Sequence, residues 1–315
     1  MLPSTISFDY CSLIEKKERL MITLEIIIKK NDTFTWRFYQ SYGLITKNCC
    51  YNNYPKMIYK YFNIVSNLYN KISKSNINIE NSHQFIEILM IIYNHLFVLN
   101  LLENKKKPIY RSQKDVKYNN ENLFDAELSE FLNIIKSSSA EYSKTFNLHK
   151  SLNLINYTHS TSPIRRIVDL INQGIFCNNL KLFNNVNIDK INDYNVILKK
   201  YYRKINKIKL SYLLYNNNKK YINLYIYDYN DNIIEIYIPE YKINIRYKLF
   251  DDSIKNVVNI DYNHNDKILK YTLNDLYEYN IPLMKKIYIP INGKPDILFI
   301  EQSIKIDLEK FKVNL

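Results

Sequence analysis

The run Tyr157-Thr158-His159-Ser160-Thr161-Ser162-Pro163-Ile164-Arg165-Arg166-Ile167-Val168-Asp169-Leu170 is the most informative stretch of this 315-residue chain. Serine suits a helix N-cap, and proline suits the first helical position, where its missing N–H costs nothing. A helix is therefore predicted to begin at Ser162-Pro163, with Ile164, Ile167, Val168 and Ile171 as one buried stripe. Arg165 and Arg166 then leave its first turn, where free backbone amides also favour anions. Guanidinium forks bind phosphate oxygens bidentately, so the turn is a candidate phosphate clamp. Spacing leaves a second reading open, in which Arg165 only pairs with Asp169 along the helix.

Upstream, Leu20 to Ile28 is apolar and β-branched, Lys29-Lys30-Asn31-Asp32 supplies turn residues, and Phe34 to Ile45 is a second extended run. That pattern predicts a hairpin. Apolar residues recur at helical spacing from Pro55 to Ile72, and Ser82 to Leu102 is apolar nearly all round, as a buried helix would be. A third helix is predicted near Phe124 to Ile135, before Ser137-Ser138-Ser139. Downstream of the arginines a long basic helix is predicted over Ile191 to Tyr215. Beyond Asn216-Asn217-Asn218 the chain turns β-rich, with Tyr221 to Tyr227 and Ile233 to Ile238 flanking a polar turn. These features place a boundary near 217, with a small barrel or sandwich after it.

Composition narrows the function. Lys and Arg number 44 against 31 Asp and Glu, a formal charge of +13, which favours a polyanionic partner through counterion release. Only Gly43, Gly174 and Gly293 occur, which argues against Rossmann and P-loop sites, where clustered glycines let backbone amides reach phosphate. The 30 tyrosines rise together with Ile, Asn and Lys, so they carry little functional weight. Cys11, Cys49, Cys50 and Cys177 form no C-x-x-C pair and lack histidines at ligand spacing, so structural zinc is not expected. No leader and no apolar run long enough to cross a bilayer are read, so the expected setting is cytoplasmic, with the nucleus open, and no membrane partner.

The run T-S-P-I-R-R-x-x-D-L, preceded by Y-x-H, resembles the signature of the ribonuclease II/R (RNB domain) exoribonuclease family. Further blocks agree in order. Met1-Leu2-Pro3, Ser7, Cys11-Ser12-Leu13 and Arg19-Leu20 resemble its M-L-P…L-S…C-S-L…R-L block, and Phe38-Tyr39 with Ser41 fit the strand after it. Glu87, Met90 and Asn94 resemble its E-E-x-M-x-x-A-N helix, and Pro108 to Arg111 its P-x-Y-R strand. Ile238-Pro239-Glu240-Tyr241 resembles the I-P-x-x-G turn of its terminal S1-type barrel. The resemblance implies an α+β architecture: residues 1–217 as the C-terminal portion of an RNB-type domain (a mixed sheet with helices), and 218–315 as an S1/OB-like β-barrel.

Carried over residue by residue, Arg165 resembles the arginine that stabilises charge on the scissile phosphate, the one catalytic assignment. Arg166 and Arg111 are expected as RNA-path or structural residues, and Tyr157 and His159 as shaping the pocket, all four on the RNA-binding side of the site. The basic run Lys199, Lys200, Arg203 and Lys204, continuing through Lys207 and Lys209, is read as an RNA-facing helix surface, with a merely solvated face as the alternative. The family threads single-stranded RNA 3′ end first and hydrolyses it with Mg²⁺. Its metal-binding aspartates lie upstream of the M-L-P block, where this chain starts, and no ligand set is found here. Asp228, Asp231, Asp251 and Asp252 read as turn formers. Further departures are Ile88 for the second helix glutamate, Gln173-Gly174 for His-Arg, and Lys242 for the turn glycine. The expected function is the RNA-binding, arginine-bearing part of a 3′–5′ exoribonuclease, inactive alone, with the aspartate segment coming from a second chain or exon. An inactive pseudoenzyme or scaffold is the alternative.

Overall fold

The computed structural model describes residues 2–31, 33–113, 126–136, 139–146, 148–179, 185–215, 220–230, 233–249, 257–263, 267–273, 277–293, 304–308 and 311–314. Asp32, Phe124, Ser137, Ser138, Asn216, Asn217, Asn218, Asp231, Asp251 and Asp252 lie outside the described residues. The architecture is α+β, in two compact units: Met1–Val116 with Ser137–Asn192, and Lys117–Lys136 with Asp193–Leu315.

In the first unit the hairpin forms as read. Strands β1 (Glu18–Ile28) and β2 (Phe34–Leu44) pair antiparallel, with Leu24 opposite Phe38 and Ile26 opposite Trp36. Even-numbered side chains share one face of this ribbon, and Ile22, Leu24, Ile26, Phe34, Trp36 and Phe38 pack on buried residues of the helices behind. Helices α1 (Tyr59–Ser73) and α2 (Ser82–Glu103) follow, the second capped by Asn81, whose side chain accepts from the Gln84 amide. On α2, Phe85, Ile88, Ile92 and Leu96 join the α1 core, whereas Phe97 and Leu101 join a second cluster with Val168, Ile171 and Ile175. Serving two cores explains its all-round apolarity. It also corrects the sequence reading about apolar runs, because this helix alone among the described residues is long and apolar enough to cross a membrane. Short ladders complete the unit: β3 (Tyr110–Ser112) pairs with β4 (Glu141–Ser143), and β5 (Leu148–His149) with β6 (Leu154–Ile155). Helix α4 (Ile167–Phe176) closes it. All four cysteines are free and exposed, so Cys49 and Cys50 are not packing residues.

The second unit holds α3 (Ala126–Lys136), most of α5 (Ile188–Tyr215) and two antiparallel sheets. Writing the strands as β7 (Lys220–Asn230), β8 (Ile233–Ile238), β9 (Ile243–Lys248), β10 (Val257–Asn263), β11 (Ile268–Leu273), β12 (Tyr277–Pro282), β13 (Lys286–Gly293), β14 (Ile304–Ile306) and β15 (Lys312–Asn314), their orders are β14-β13-β7-β8-β9 and β10-β11-β12-β15. Along β13, Ile287, Ile289 and Ile291 are buried while Lys286, Tyr288 and Asn292 are exposed, the alternation of a sheet with one covered face. Ile222, Leu224 and Ile226 share their core with Leu269 and Ile281 of the other sheet and with Leu210 and Leu214 of α5. This anchoring carries the last turns of α5 with the strands, so the compositional change near 217 falls inside the unit. Tyr225, Tyr227 and Tyr237 project from the other face onto Leu128, Phe131 and Leu132 of α3. A Cβ at Gly293 would stand 2.1 Å from the Ser211 carbonyl oxygen, so only glycine lets α5 lie this close to β13.

Candidate functional site

The helix start differs from the sequence expectation. Ser162 and Pro163 open a separate turn, in which the amides of Arg165 and Arg166 donate to the Ser162 carbonyl at 3.2 and 3.1 Å. α4 begins one step later, with Arg166 at the N-cap position in an extended conformation. The cause is Asp169. Its carboxylate Oδ1 accepts from the Ser162 amide at 2.7 Å and from the Arg166 guanidinium at 2.7 Å, which folds the chain back before the helix starts. Ile167 is consequently 49% exposed, and the buried stripe is Val168, Ile171 and Ile175.

Four polar side chains pin the segment from Tyr157 to Ser162. Asn94 of α2 accepts from the Ser160 amide at 2.8 Å and donates to the Tyr157 hydroxyl at 3.2 Å. Asn172 accepts from the Ile109 amide at 2.9 Å and donates to the Ile109 carbonyl at 3.1 Å and the Thr158 hydroxyl at 2.8 Å. Gln173 donates to the Ser160 carbonyl at 2.7 Å, and Asp169 holds Ser162. Arg111 donates its amide to Tyr157 at 2.7 Å and lays its guanidinium 5.1 Å from the Tyr142 ring centroid, within cation–π range. Asn94, Asp169, Asn172, Thr158 and Ser160 are all buried, and a buried network of polar groups that bond one another holds the loop in a defined geometry, although Asp169 Oδ2 and Arg166 Nε are buried without a partner.

That geometry separates the two arginines. Arg166 is the ion-pair partner of Asp169, three residues on, and also donates to Thr161 at 3.3 Å. Its role is to hold the turn. Arg165 is exposed, carries no ion pair among the described residues, and follows Ile164, whose carbonyl accepts from the Leu2 amide at 2.9 Å. The i,i+4 pairing of Arg165 with Asp169 does not form.

The surrounding rings are neutral. His159 Nδ1 lies 2.8 Å from the Tyr142 hydroxyl. Burial, reinforced by the positive charges of Arg166 and Arg111, pushes the His159 imidazole down to about 2, and burial beside Arg111 pushes His149 to about 4. Burial raises Tyr142 and Tyr157 above the ordinary phenol value. Three arginines therefore stand against one carboxylate, already paired, which makes the site a receptor for anions. Tyr142 also borders a polar cleft of about 600 Å³ between residues 142–144 and 185–189.

Tyr157 is 4% exposed, so it supports the loop from beneath rather than presenting a surface to RNA, a correction to its sequence reading. Lys199, Lys200, Arg203 and Lys204 are exposed on α5, in the other unit. Lys207 is buried, with its ammonium 3.4 Å from the Arg246 carbonyl, and leaves the basic surface. Glu87 is exposed, so of the acidic helix block only Asn94 reaches the site. Asn172 escaped sequence reading and Gln173 entered it only as a departure from the family's pattern, although Asp169, Asn172 and Gln173 form a polar i, i+3, i+4 set on an otherwise apolar helix. No three His, Cys, Asp or Glu side chains converge to hold a metal among the described residues. The arginine site does not fit Mg²⁺, which takes several oxygen ligands: Asp169 is its single carboxylate among the described residues, fully buried, with Oδ1 taken by Ser162 and Arg166 and only Oδ2 unpartnered, and its neighbours are cationic.

Residues 59–181 match the family model of the RNB domain, a span containing Arg111, the Tyr157–Asp169 loop and its pins. This part of the chain is similar to the RNB domain of the ribonuclease II/R family. Ribonuclease R of Buchnera aphidicola subsp. Acyrthosiphon pisum is 27% identical, over 54% of this chain and 34% of the relative. The enzyme of subsp. Schizaphis graminum is 25% identical, over 62% and 37%. The chain thus spans about a third of the length of the curated relatives it matches. Mycoplasma genitalium ribonuclease R, in complex with ribose-methylated single-stranded RNA, superposes with a TM-score of 0.65 at 17% identity, over 97% of this chain and 60% of that one. Yeast Ssd1, a pseudonuclease, gives 0.58 at 12% identity, over 86% and 44%. At these identities the two structures establish the fold.

Proposed function

We propose that this chain is the RNA-binding, arginine-bearing part of a ribonuclease R-like 3′–5′ exoribonuclease. Arg165 grips the scissile phosphate, and the carboxylates needed for metal-assisted hydrolysis come from outside the described residues. The observation that carries this reading is the exposed Arg165, held by a loop that Asn94, Asp169, Asn172 and Gln173 pin from behind. A rigid donor aimed at an anion acts without reorganising when charge develops on the phosphate. Single-stranded RNA is the proposed ligand, in keeping with the surplus of +13 and the RNA-bound Mycoplasma relative. Arg111 and His159 line the phosphate path, and Lys199, Lys200, Arg203 and Lys204 extend the basic surface. The two sheets of the second unit are read as an S1-like module, and the four free cysteines accord with a reducing, cytoplasmic setting.

The alternative reading is an RNA-binding pseudonuclease, favoured by the likeness to Ssd1 and by Gln173, which spends its amide on Ser160. The discriminating experiment incubates end-labelled oligo(A) with the purified chain and Mg²⁺ or Mn²⁺, alone and with a carboxylate-bearing RNB segment from a ribonuclease R. Binding without cleavage alone, and a one-nucleotide ladder on addition of the segment, supports the nuclease reading. Binding without cleavage in both supports the pseudonuclease. Cleavage by the chain alone contradicts both.

A further inference from the structure

The RNA-binding reading uses the cations of α5 but not the apolar side chains exposed beside them. Tyr194, Ile197, Tyr201, Ile205, Tyr212 and Tyr215 follow one another at steps of three, four or seven residues, so they form one continuous stripe on the helix. Each is 43% to 63% exposed. At 1.5 Å per residue the stripe runs for about 30 Å, and an apolar surface of that extent marks an interaction site rather than ordinary exposure. The opposite face carries Leu210, Ser211 and Leu214, all buried against the sheet core. No residue from Asp193 to Asn206 is buried.

Local sequence gives that exposed half little reason to be helical by itself. Asp193-Tyr194-Asn195-Val196-Ile197 and Tyr201-Tyr202 are weak helix formers, and an isolated helix of this length is marginal in water even with strong ones. A partner covering the stripe supplies the missing stabilisation. The stripe is straight, narrow and of helical period, so it fits the ridge of another helix and not a strand. Lys204 and Lys200 border it on one side and Lys209 on the other. A second copy of this chain would set these cations against each other. Single-stranded nucleic acid would meet Ile197 and Ile205 at the middle of the stripe, where no hydrogen bond is available.

We propose that the outer face of α5 docks an amphipathic partner helix, apolar along one side and flanked on both edges by carboxylates. Such a helix buries the Tyr/Ile stripe and pairs its edges with Lys200, Lys204 and Lys209. The site needs neither Arg165 nor hydrolysis, but it shares Lys200 and Lys204 with the proposed RNA surface, so the partner helix and RNA would compete for them.

The test uses the full chain and two fluorescein-labelled designed peptides with the same leucine seam, one flanked by glutamates and one by lysines. Saturable binding of the glutamate peptide is expected, about tenfold tighter than that of the lysine peptide at low salt. Tyr201→Asp with Ile205→Asp should abolish it, with an unchanged circular dichroism melt of the second unit to show that the fold persists. Lys200→Glu with Lys204→Glu, an exposed exchange that the fold tolerates, should shift the preference toward the lysine peptide. Equal affinity for both peptides, or no saturable binding, overturns the proposal. So does concentration-dependent self-association, or oligo(A) binding, that the Tyr201 and Ile205 exchanges abolish.

Discussion

Asn172 holds both main-chain polar atoms of Ile109: its Oδ1 accepts from the amide at 2.9 Å, and its Nδ2 donates to the carbonyl at 3.1 Å. One fully buried side chain thus stands in for a neighbouring strand and ties α4 to the start of β3, which carries Arg111. Asn172→Ala leaves the buried Ile109 amide without its partner, while the Ile109 carbonyl and the Thr158 hydroxyl keep only their bond to each other. We expect a loss of about 2–4 kcal/mol, read by urea unfolding followed by tyrosine fluorescence. A loss under about 0.5 kcal/mol would show that the loop has other anchors.

Arg165 and Arg166 are adjacent in sequence and opposite in role. Arg166→Ala strands the fully buried Asp169 with only the Ser162 amide, a cost on the order of 3 kcal/mol. Arg165→Ala removes an exposed group and should change stability by less than about 0.5 kcal/mol. Thermal melts of the two variants side by side separate the assignments. Equal destabilisation would mean that both arginines are structural.

Acid should loosen the first unit through its histidines. His159 and His149 are held in the fold at about 2 and about 4, below the ordinary 6.5. Between those values the unfolded chain binds protons that the folded chain refuses, so their stabilising contribution is complete above pH 6.5 and declines as pH falls. The melting temperature is expected to drop between pH 7 and pH 5, less steeply in His159→Gln. An unchanged slope in that variant would contradict the burial of a neutral His159.

Two backbone positions in the second unit should respond in opposite directions. Lys242 sits at φ 51°, the left-handed region, and closes the turn with its amide on the Pro239 carbonyl at 3.0 Å. The turn survives without its glycine, so Lys242→Gly should gain up to about 1 kcal/mol. Gly293→Ala forces a methyl into the Ser211 carbonyl and should cost about 1–3 kcal/mol. Equilibrium unfolding of both variants checks the pair of signs.

Much of this was legible in the sequence because it rests on period and punctuation. The hairpin followed from two β-branched runs around Lys29-Lys30-Asn31, and the α2 core helix from its apolar circumference. The start of α4 was misread because Ser162-Pro163 satisfies every local rule for a helix N-terminus, while the deciding contact, Asp169 Oδ1 on the Ser162 amide, reaches back seven residues. The same contact assigned Asp169 to Arg166 instead of Arg165. The burial of Tyr157 leaves no local trace for a similar reason, since the Asn94 that bonds its hydroxyl is 63 positions away. Tertiary partners at that distance leave no periodic trace.

Fluorescence anisotropy of labelled oligo(A) at fixed low salt decides whether Arg165 is the phosphate ligand of an RNA site. Wild type, Arg165→Ala, Arg165→Lys and Lys199→Ala are compared, with melts confirming the fold. The account predicts that Arg165→Ala weakens binding by about tenfold and that Arg165→Lys recovers little of it, because an ammonium lacks the planar fork. Lys199→Ala should weaken binding only modestly and flatten the salt dependence by up to about 0.7 of a log unit per log unit. Unchanged affinity in Arg165→Ala would contradict the account.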